Sequence, residues 1–331
     1  MSKIAVFGGG SWGTTLADML AEKGENVHLW VRETDLAEEM LAKRENTRFL
    51  PGKALHPSLQ ITPQLPEAMR GADVYLIVVP CQFMRRVLES VAGEFPDDPV
   101  LVCASKGIEQ STMSPMSKVV AESLQGKNPK YAVISGPSFA AEVSRRLPTA
   151  VSLGCPDPEL GQRLQKRLSA ESFRVYVNED FRGVELGGAL KNVMAIAAGI
   201  SDGLGFGHDA RAALITRGLA EMSRLGEALG ARARTYMGLA GMGDLVLTCT
   251  GDLSRNRQVG LKIGRGMRLK EILEEMNMVA EGVKTAEAVH ALGRERGVDL
   301  PISEQVYAVL FEDKPPEVAV RELMTRALKY E

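Results

Sequence analysis

The apolar run Lys3-Ile-Ala-Val-Phe7 leads directly into Gly8-Gly9-Gly10-Ser11-Trp12-Gly13. The spacing Gly8-x-Gly10-x-x-Gly13, with Ala17 four residues beyond, constrains this chain more than any other feature. Each glycine has a separate task. The first permits a tight turn, the second lets backbone approach a pyrophosphate, and the third packs a helix on a strand. The helix that follows offers unpaired N–H groups to phosphate oxygens. Strand, turn and helix in this order are read as a dinucleotide-binding unit.

The same letters fit a second signature. Gly9-Gly10-Ser11-Trp12-Gly13 matches the nucleophile elbow G-x-S-x-G of serine hydrolases. Such a serine needs a histidine partner and an oxyanion hole from an earlier loop. Only ten residues precede Ser11, so no earlier loop is expected to supply that hole. Ser11 and Trp12 are assigned instead to the pyrophosphate.

Further apolar runs at Val27–Val31, Val74–Val79, Val100–Ala104 and Tyr131–Ile134 alternate with helix-like stretches. Continuous Val/Ile/Leu runs suit strands buried on both faces of a parallel sheet, and the alternation implies βαβ units. The texture then changes. No proline occurs between Pro158 and Pro301. Leu186, Leu190, Val193, Met194 and Ala197 fall on one helix face. A second long helix is expected from about Asp209 to Leu229, ended by Gly230. The fold class is therefore α/β: a parallel-sheet, Rossmann-like domain over residues 1–183, followed by an all-α domain over 184–331.

The bulk numbers remove several function classes. The 331 residues carry a net charge of −2, without the basic excess of a nucleic-acid binder. No apolar run is expected to reach the roughly 18 residues that span a bilayer, so no membrane insertion is expected. Cys81, Cys103, Cys155 and Cys249 form no CxxC pair and suggest a reduced, cytoplasmic setting. The four histidines show no metal-ligand spacing, and no metal is expected.

Cofactor choice turns on the end of the second run. An acid about 20 residues past the fingerprint would hold the ribose 2′-OH of NAD. Here that place is taken by Arg32, with Glu33 beside it. A guanidinium suits a 2′-phosphate, so NADPH is favoured and Glu33 leaves NADH use open. A solvated surface arginine is the plainer alternative.

Four clusters carry chemistry. Lys191 lies beside Gly187, Gly188 and Ala195 on a helix stripe; small residues let another group approach its ammonium. Partial burial would lower its pKa and make it a proton donor to a carbonyl under reduction. A snorkelling lysine at a helix contact is the alternative. Asp244, in Leu239-Ala-Gly-Met-Gly-Asp244, is placed to orient that ammonium, or merely caps a turn. Ser254 is an N-cap candidate, followed by Arg255, Asn256 and Arg257. Cationic residues in a first helical turn oppose the macrodipole unless an external anion, such as phosphate, is bound there. Finally, Pro80–Phe83, Ser105-Lys106-Gly107 and Gly136-Pro-Ser138-Phe-Ala140 follow apolar runs, where open α/β sheets bind ligands.

Taken together, these motifs resemble the soluble bacterial NAD(P)-dependent glycerol-3-phosphate dehydrogenase family over nearly the whole chain. The resemblance rests on Gly8–Ala17, Val79–Phe83, Ser105–Glu109, Gly136–Ala140, Glu185–Asn192, Gly241–Asp244, Ser254–Asn256 and Val279–Gly282. It implies reversible reduction of dihydroxyacetone phosphate to sn-glycerol 3-phosphate, feeding glycerophospholipid synthesis, in a homodimer. It implies that Lys191 transfers the proton, supported by Asp244 and Asn192. It implies substrate contacts at Lys106, Gly136, Ser138, Lys191, Asp244, Ser254, Arg255 and Asn256. Dinucleotide contacts are implied at Ser11, Trp12, Arg32, Lys106, Ala140, Arg255, Val279 and Glu281, joining Gly8, Gly10 and Gly13, with Phe83 as a packing partner. The rivals are a β-hydroxyacid dehydrogenase or ketopantoate reductase, which would recognise carboxylate instead of phosphate, and a non-catalytic NADPH-sensing protein.

Overall fold

The computed structural model describes residues 2–276, 280–328 and 330. The chain divides into two compact units. One comprises Met1–Lys106 and Ser114–Glu185; the other comprises Gly107–Met113 and Leu186–Glu331.

The first unit is built on an eight-stranded sheet. Its strands are β1 (Lys3–Phe7), β2 (Asn26–Trp30), β3 (Gln60–Thr62), β4 (Val74–Ile77), β5 (Val100–Cys103), β6 (Lys130–Ser135), β7 (Thr149–Gly154) and β8 (Phe173–Asn178). The spatial order is β8-β7-β6-β5-β4-β1-β2-β3. All neighbours run parallel except β6 and β7. β1 is buried at every position, as an apolar run covered on both faces requires. Helix α1 (Ser11–Glu22) buries Leu16, Ala17, Met19 and Leu20 in the core with Val6, Leu29 and Leu76. Other helices of this unit include α2 (Thr34–Lys43), α3 (Cys81–Glu89), α4 (Met116–Ser123) and α5 (Pro158–Leu168).

Strands β3, β7 and β8 escaped the sequence reading. β3 is three residues long, and β8 alternates buried and exposed positions as an edge strand does. The order reverses between β1 and β4, which run side by side. The crevice beyond their carboxyl ends is where open sheets of this kind take ligands.

The second unit is helical: α6 (Phe181–Gly203, which starts in the first unit), α7 (His208–Ala228), α8 (Asp244–Thr250), α9 (Arg255–Gly264), α10 (Glu281–Arg296), α11 (Pro301–Phe311) and α12 (Pro316–Met324). Helix α7 ends as its glycine dictates. Gly230 has φ +86°, its N–H bonds to Glu227 O, and the Ala231 N–H bonds to Gly226 O at 2.9 Å. That is the paired C-terminal closure which a left-handed glycine allows.

Helix α6 corrects one expectation. It is 23 residues long, and an 18-residue stretch of it reaches a mean hydropathy of 1.2, by length and composition enough to cross a bilayer. Its apolar stretch is wholly buried within the protein, where it forms a core with Leu219, Met222, Tyr236, Val259 and Val289.

Candidate active site

In the first unit the glycine turn lies between β1 and α1. Gly8 has φ +120°, and a Cβ there would meet the Val78 carbonyl oxygen at 2.8 Å. A Cβ on Gly13 would fall 1.9 Å from the Gly8 carbonyl oxygen. Both positions exclude any side chain. Gly10 differs: nothing lies within 4 Å of its Cβ direction. Gly10 is the N-cap of α1 without a capping side chain, and the first helical hydrogen bond runs from Thr14 N–H to Gly10 O at 2.9 Å. The N–H groups of Ser11, Trp12 and Gly13 thus begin the helix ahead of its hydrogen-bond ladder. Open space at Gly10 before three such donors fits a pyrophosphate. The Trp12 ring packs 6.4 Å from that of Phe173.

Arg32 follows β2 with its side chain 63% exposed. Its Nε and Nη2 donate to Glu33 Oε1 at 3.0 and 2.5 Å. The guanidinium is thus at the strand end that the sequence indicated, held by the acid beside it. Arg48 is held likewise by Asp35 at 2.8 Å. Phe83, on α3, is 39% exposed with Arg86 over its ring. Lys106 Nζ donates to Gly136 O at 3.3 Å, and Ser138 Oγ donates to the same oxygen at 3.0 Å. Three candidates from two strand ends therefore converge on one carbonyl. The Ala140 carbonyl accepts from Thr15 Oγ1 at 3.4 Å, on the first turns of α1.

In the second unit the lysine is buried. Lys191 Nζ lies 2.7 Å from Thr248 Oγ1 and 3.1 Å from Asp244 Oδ1. Thr248 Oγ1 is 3.3 Å from the same carboxylate oxygen. Asp244 opens α8, and Thr248 is one turn on, so both face Lys191. Thr248 was missed from sequence; its four-residue offset from Asp244 is the signal that could have found it. The small residues near Lys191 do admit a neighbour: a Cβ on Gly187 would lie 2.6 Å from the Ala240 carbonyl, in the turn that leads to Asp244. Asn192 is also buried, and its carbonyl lies 2.8 Å from where a Gly282 Cβ would be. Cys249 is close enough to feel both Lys191 and Asp244, yet burial pushes its thiol up to about 12. It stays protonated and cannot serve as a thiolate nucleophile at neutral pH.

The start of α9 is built as the sequence suggested. Ser254 Oγ accepts from the Arg257 N–H at 3.3 Å. Arg257 itself is buried, with Nε and Nη2 on Asp202 and Nη1 on Asp252. Arg255 is exposed on the same turn. Asn256 Oδ1 accepts from the Gly282 N–H at 2.9 Å, which ties this turn to the beginning of α10, where Glu281 is the first residue. Val279 lies outside the described residues.

The comparisons with known proteins agree with this layout. Residues 3–161 match the model of the NAD-dependent glycerol-3-phosphate dehydrogenase N-terminus, and residues 180–321 match that of its C-terminus. A glycerol-3-phosphate dehydrogenase (NAD(P)+) of Maridesulfovibrio salexigens is 60% identical over 99% of this chain and 100% of its own length. That of Geobacter sulfurreducens is 58% identical over 99% and 98%. The crystal structure of glycerol-3-phosphate dehydrogenase from Coxiella burnetii superposes with a TM-score of 0.94 at 43% identity, covering 98% of this chain and 99% of that one. The chain belongs to the NAD-dependent glycerol-3-phosphate dehydrogenase family.

Proposed function

We propose that the chain reduces dihydroxyacetone phosphate to sn-glycerol 3-phosphate with NADPH or NADH, and runs the reverse oxidation. The observation that carries this reading is the buried Lys191–Asp244–Thr248 cluster in a chain of this family. The reduced nicotinamide, when bound, supplies a hydride for C2 of the ketone. Lys191 Nζ delivers a proton to the C2 oxygen, so that hydride and proton together make the alcohol. The Asp244 carboxylate orients the ammonium and offsets its charge, and Thr248 fixes the direction of one N–H.

Substrate phosphate goes to the start of α9. Ser254, Arg255 and Asn256 supply a hydroxyl, a guanidinium and an amide there, in a first turn whose dipole favours an anion. Gly8, Gly10, Ser11, Trp12 and Gly13 take the pyrophosphate, and Arg32 takes a 2′-phosphate. Lys106, Gly136 and Ser138 for substrate, and Phe83, Lys106, Ala140, Arg255, Val279 and Glu281 for the dinucleotide, keep the roles that the family resemblance implies; Asn192 supports the lysine from the next position on α6.

A homodimer is part of this proposal. Met237, Met242, Val246 and Leu253 leave apolar surface exposed on the helical unit, and a second copy would cover it. A cytoplasmic setting suits four buried cysteines, none of which forms a disulfide among the described residues, and supply of glycerol 3-phosphate to lipid synthesis suits the product.

Initial rates of nicotinamide oxidation with dihydroxyacetone phosphate, set against a panel of keto acids, test the activity. Turnover of the phosphate ester alone is expected. Near-normal turnover by Lys191→Ala with intact NADPH binding would remove the lysine from the chemistry, and sedimentation as a monomer would remove the dimer.

A further inference from the structure

Asn46 is wholly buried, in the two-residue strand Glu45–Asn46 that follows α2. Its Nδ2 donates to the Gly9 carbonyl at 2.8 Å and to Thr14 Oγ1 at 2.9 Å. Its Oδ1 accepts from the Phe49 N–H at 3.0 Å. Thr14 Oγ1 in turn donates to the Gly9 carbonyl at 3.3 Å. Both amide protons and the amide oxygen are therefore committed, and the Gly9 carbonyl is held by two donors. This is a strong preference for a buried polar network, because any lost partner leaves a desolvated group.

We propose that Asn46 is a positioning residue that presets the dinucleotide turn and so governs affinity for NADPH and NADH alike. The inference rests on the reading that the pyrophosphate sits at Gly8–Gly13. A trans peptide points its C=O and N–H in opposite directions. With the Gly9 carbonyl fixed on Asn46, the Gly10 N–H is turned away from it. Gly10 is also the N-cap of α1, and Thr14 donates its own N–H to the Gly10 carbonyl. One carboxamide thus fixes the peptide before the open space and, through Thr14, the first turn after it. Donors fixed before binding spare the ligand the cost of ordering them. The effect is independent of the 2′-position, so both cofactors must share it.

Asn46→Asp is nearly isosteric and replaces both amide donors with an oxygen facing the Gly9 carbonyl. Calorimetric titration is expected to show NADPH and NADH each binding at least tenfold more weakly. The kcat at saturating cofactor and the KM for dihydroxyacetone phosphate should stay within twofold of the parent. Asn46→Ala, which removes the donors without adding charge, should give the same split if the aspartate variant folds poorly. Binding within twofold of the parent in both variants overturns the proposal. So does a parallel loss in kcat and substrate KM, which would mark general damage. Gly10→Asp separates this from failure of the underlying reading. Its backbone (φ −71°) and open surroundings accept a side chain, and aspartate is a good N-cap, but its charge would repel a pyrophosphate. If Gly10→Asp also binds NADPH normally, the cofactor is not on this turn; if it alone loses binding, only the role of Asn46 falls.

Discussion

A Cβ on Gly199 would lie 2.0 Å from the carbonyl oxygen of Arg257. Helices α6 and α9 therefore touch backbone to backbone. Gly260 repeats the contact from the other side, 2.0 Å from the Ile196 carbonyl, and Gly203 and Gly264 extend it by one turn. The lysine helix and the helix that begins with Ser254, Arg255 and Asn256 are thus held at a distance only glycine permits. The ion pair between Arg257 and Asp202, one on each helix, fixes the same crossing. Gly199→Ala should force the two helices apart, at about 1–3 kcal/mol of stability. Because it shifts the proposed phosphate site against Lys191, it should raise the KM for dihydroxyacetone phosphate about tenfold or more, as a misplacement of about 1 Å commonly does. NADPH affinity should fall less than that, because the glycine turn and Arg32 lie in the other unit and only the proposed Arg255 contact moves with α9; calorimetry and initial rates read the two effects separately.

Thr248 sets a different expectation. Thr248→Val keeps the shape but removes the oxygen 2.7 Å from Lys191 Nζ. The buried ammonium then keeps only part of its hydrogen bonding, and its N–H directions loosen. A fall in kcat of about tenfold is expected from the loss of one charged-group hydrogen bond. Lys191→Met should cost at least about 100-fold, the lower end of proton-transfer contributions. A Thr248→Val enzyme with unchanged kcat would show that the hydroxyl is structural only.

The cofactor turn was legible in the sequence because its glycines answer to local sterics, which spacing alone encodes. Lys191 and Asp244 were legible as a cation on a small-residue stripe and an acid in a glycine turn. Their pairing was an expectation from the sequence, and the ion pair matches it; Thr248 was not, because its place beside the ammonium depends on where α8 lands, which no local pattern states. Asn46 was invisible for the same reason: an asparagine between α2 and a short loop looks like a turn residue, yet it reaches 37 positions back to Gly9. The edge strands β3 and β8 lacked the continuous apolar run of the central strands. The bilayer-length character of α6 went unseen because charges at Glu185 and Lys191 break its apolar run in sequence, while both are buried in the fold.

Arg32 and Glu33 form a neutral pair at the end of β2. A 2′-phosphate must draw the guanidinium away from Glu33, whereas a ribose 2′-OH can use the carboxylate itself. Arg32→Ala should therefore weaken NADPH about tenfold, the value of one charge-assisted contact, and leave NADH nearly unaffected. Glu33→Gln should favour NADPH by releasing the arginine. The ratio of kcat/KM for the two cofactors measures both. An equal loss with both cofactors in Arg32→Ala would sink the 2′-phosphate role.

Glu221 gives the fold a pH dependence that can be isolated. Its carboxylate, on α7, accepts from the N–H groups of Ile302 and Ser303 at 2.6 and 3.1 Å and from Ser303 Oγ at 3.1 Å, at the first turn of α11. Burial pushes its carboxyl up to about 7, against these hydrogen bonds and the nearby Arg224, which favour the ionised form. The folded protein then binds a proton more readily than the unfolded chain, whose carboxyl titrates near its ordinary value of 4.5. Stability from this group is complete below about pH 4.5 and is lost as pH rises toward 7. The loss amounts to about 3 kcal/mol. Glu185, another buried carboxyl raised by desolvation, acts in the same direction. It is present in both proteins, so it cancels when parent and Glu221→Gln are compared. Urea unfolding at half-unit steps from pH 4.5 to 8 should show the parent losing stability relative to Glu221→Gln across this window, with the difference levelling off above pH 7. Parallel curves would mean that the hydrogen bonds from α11 hold Glu221 ionised throughout, and that its burial costs no pH-dependent stability.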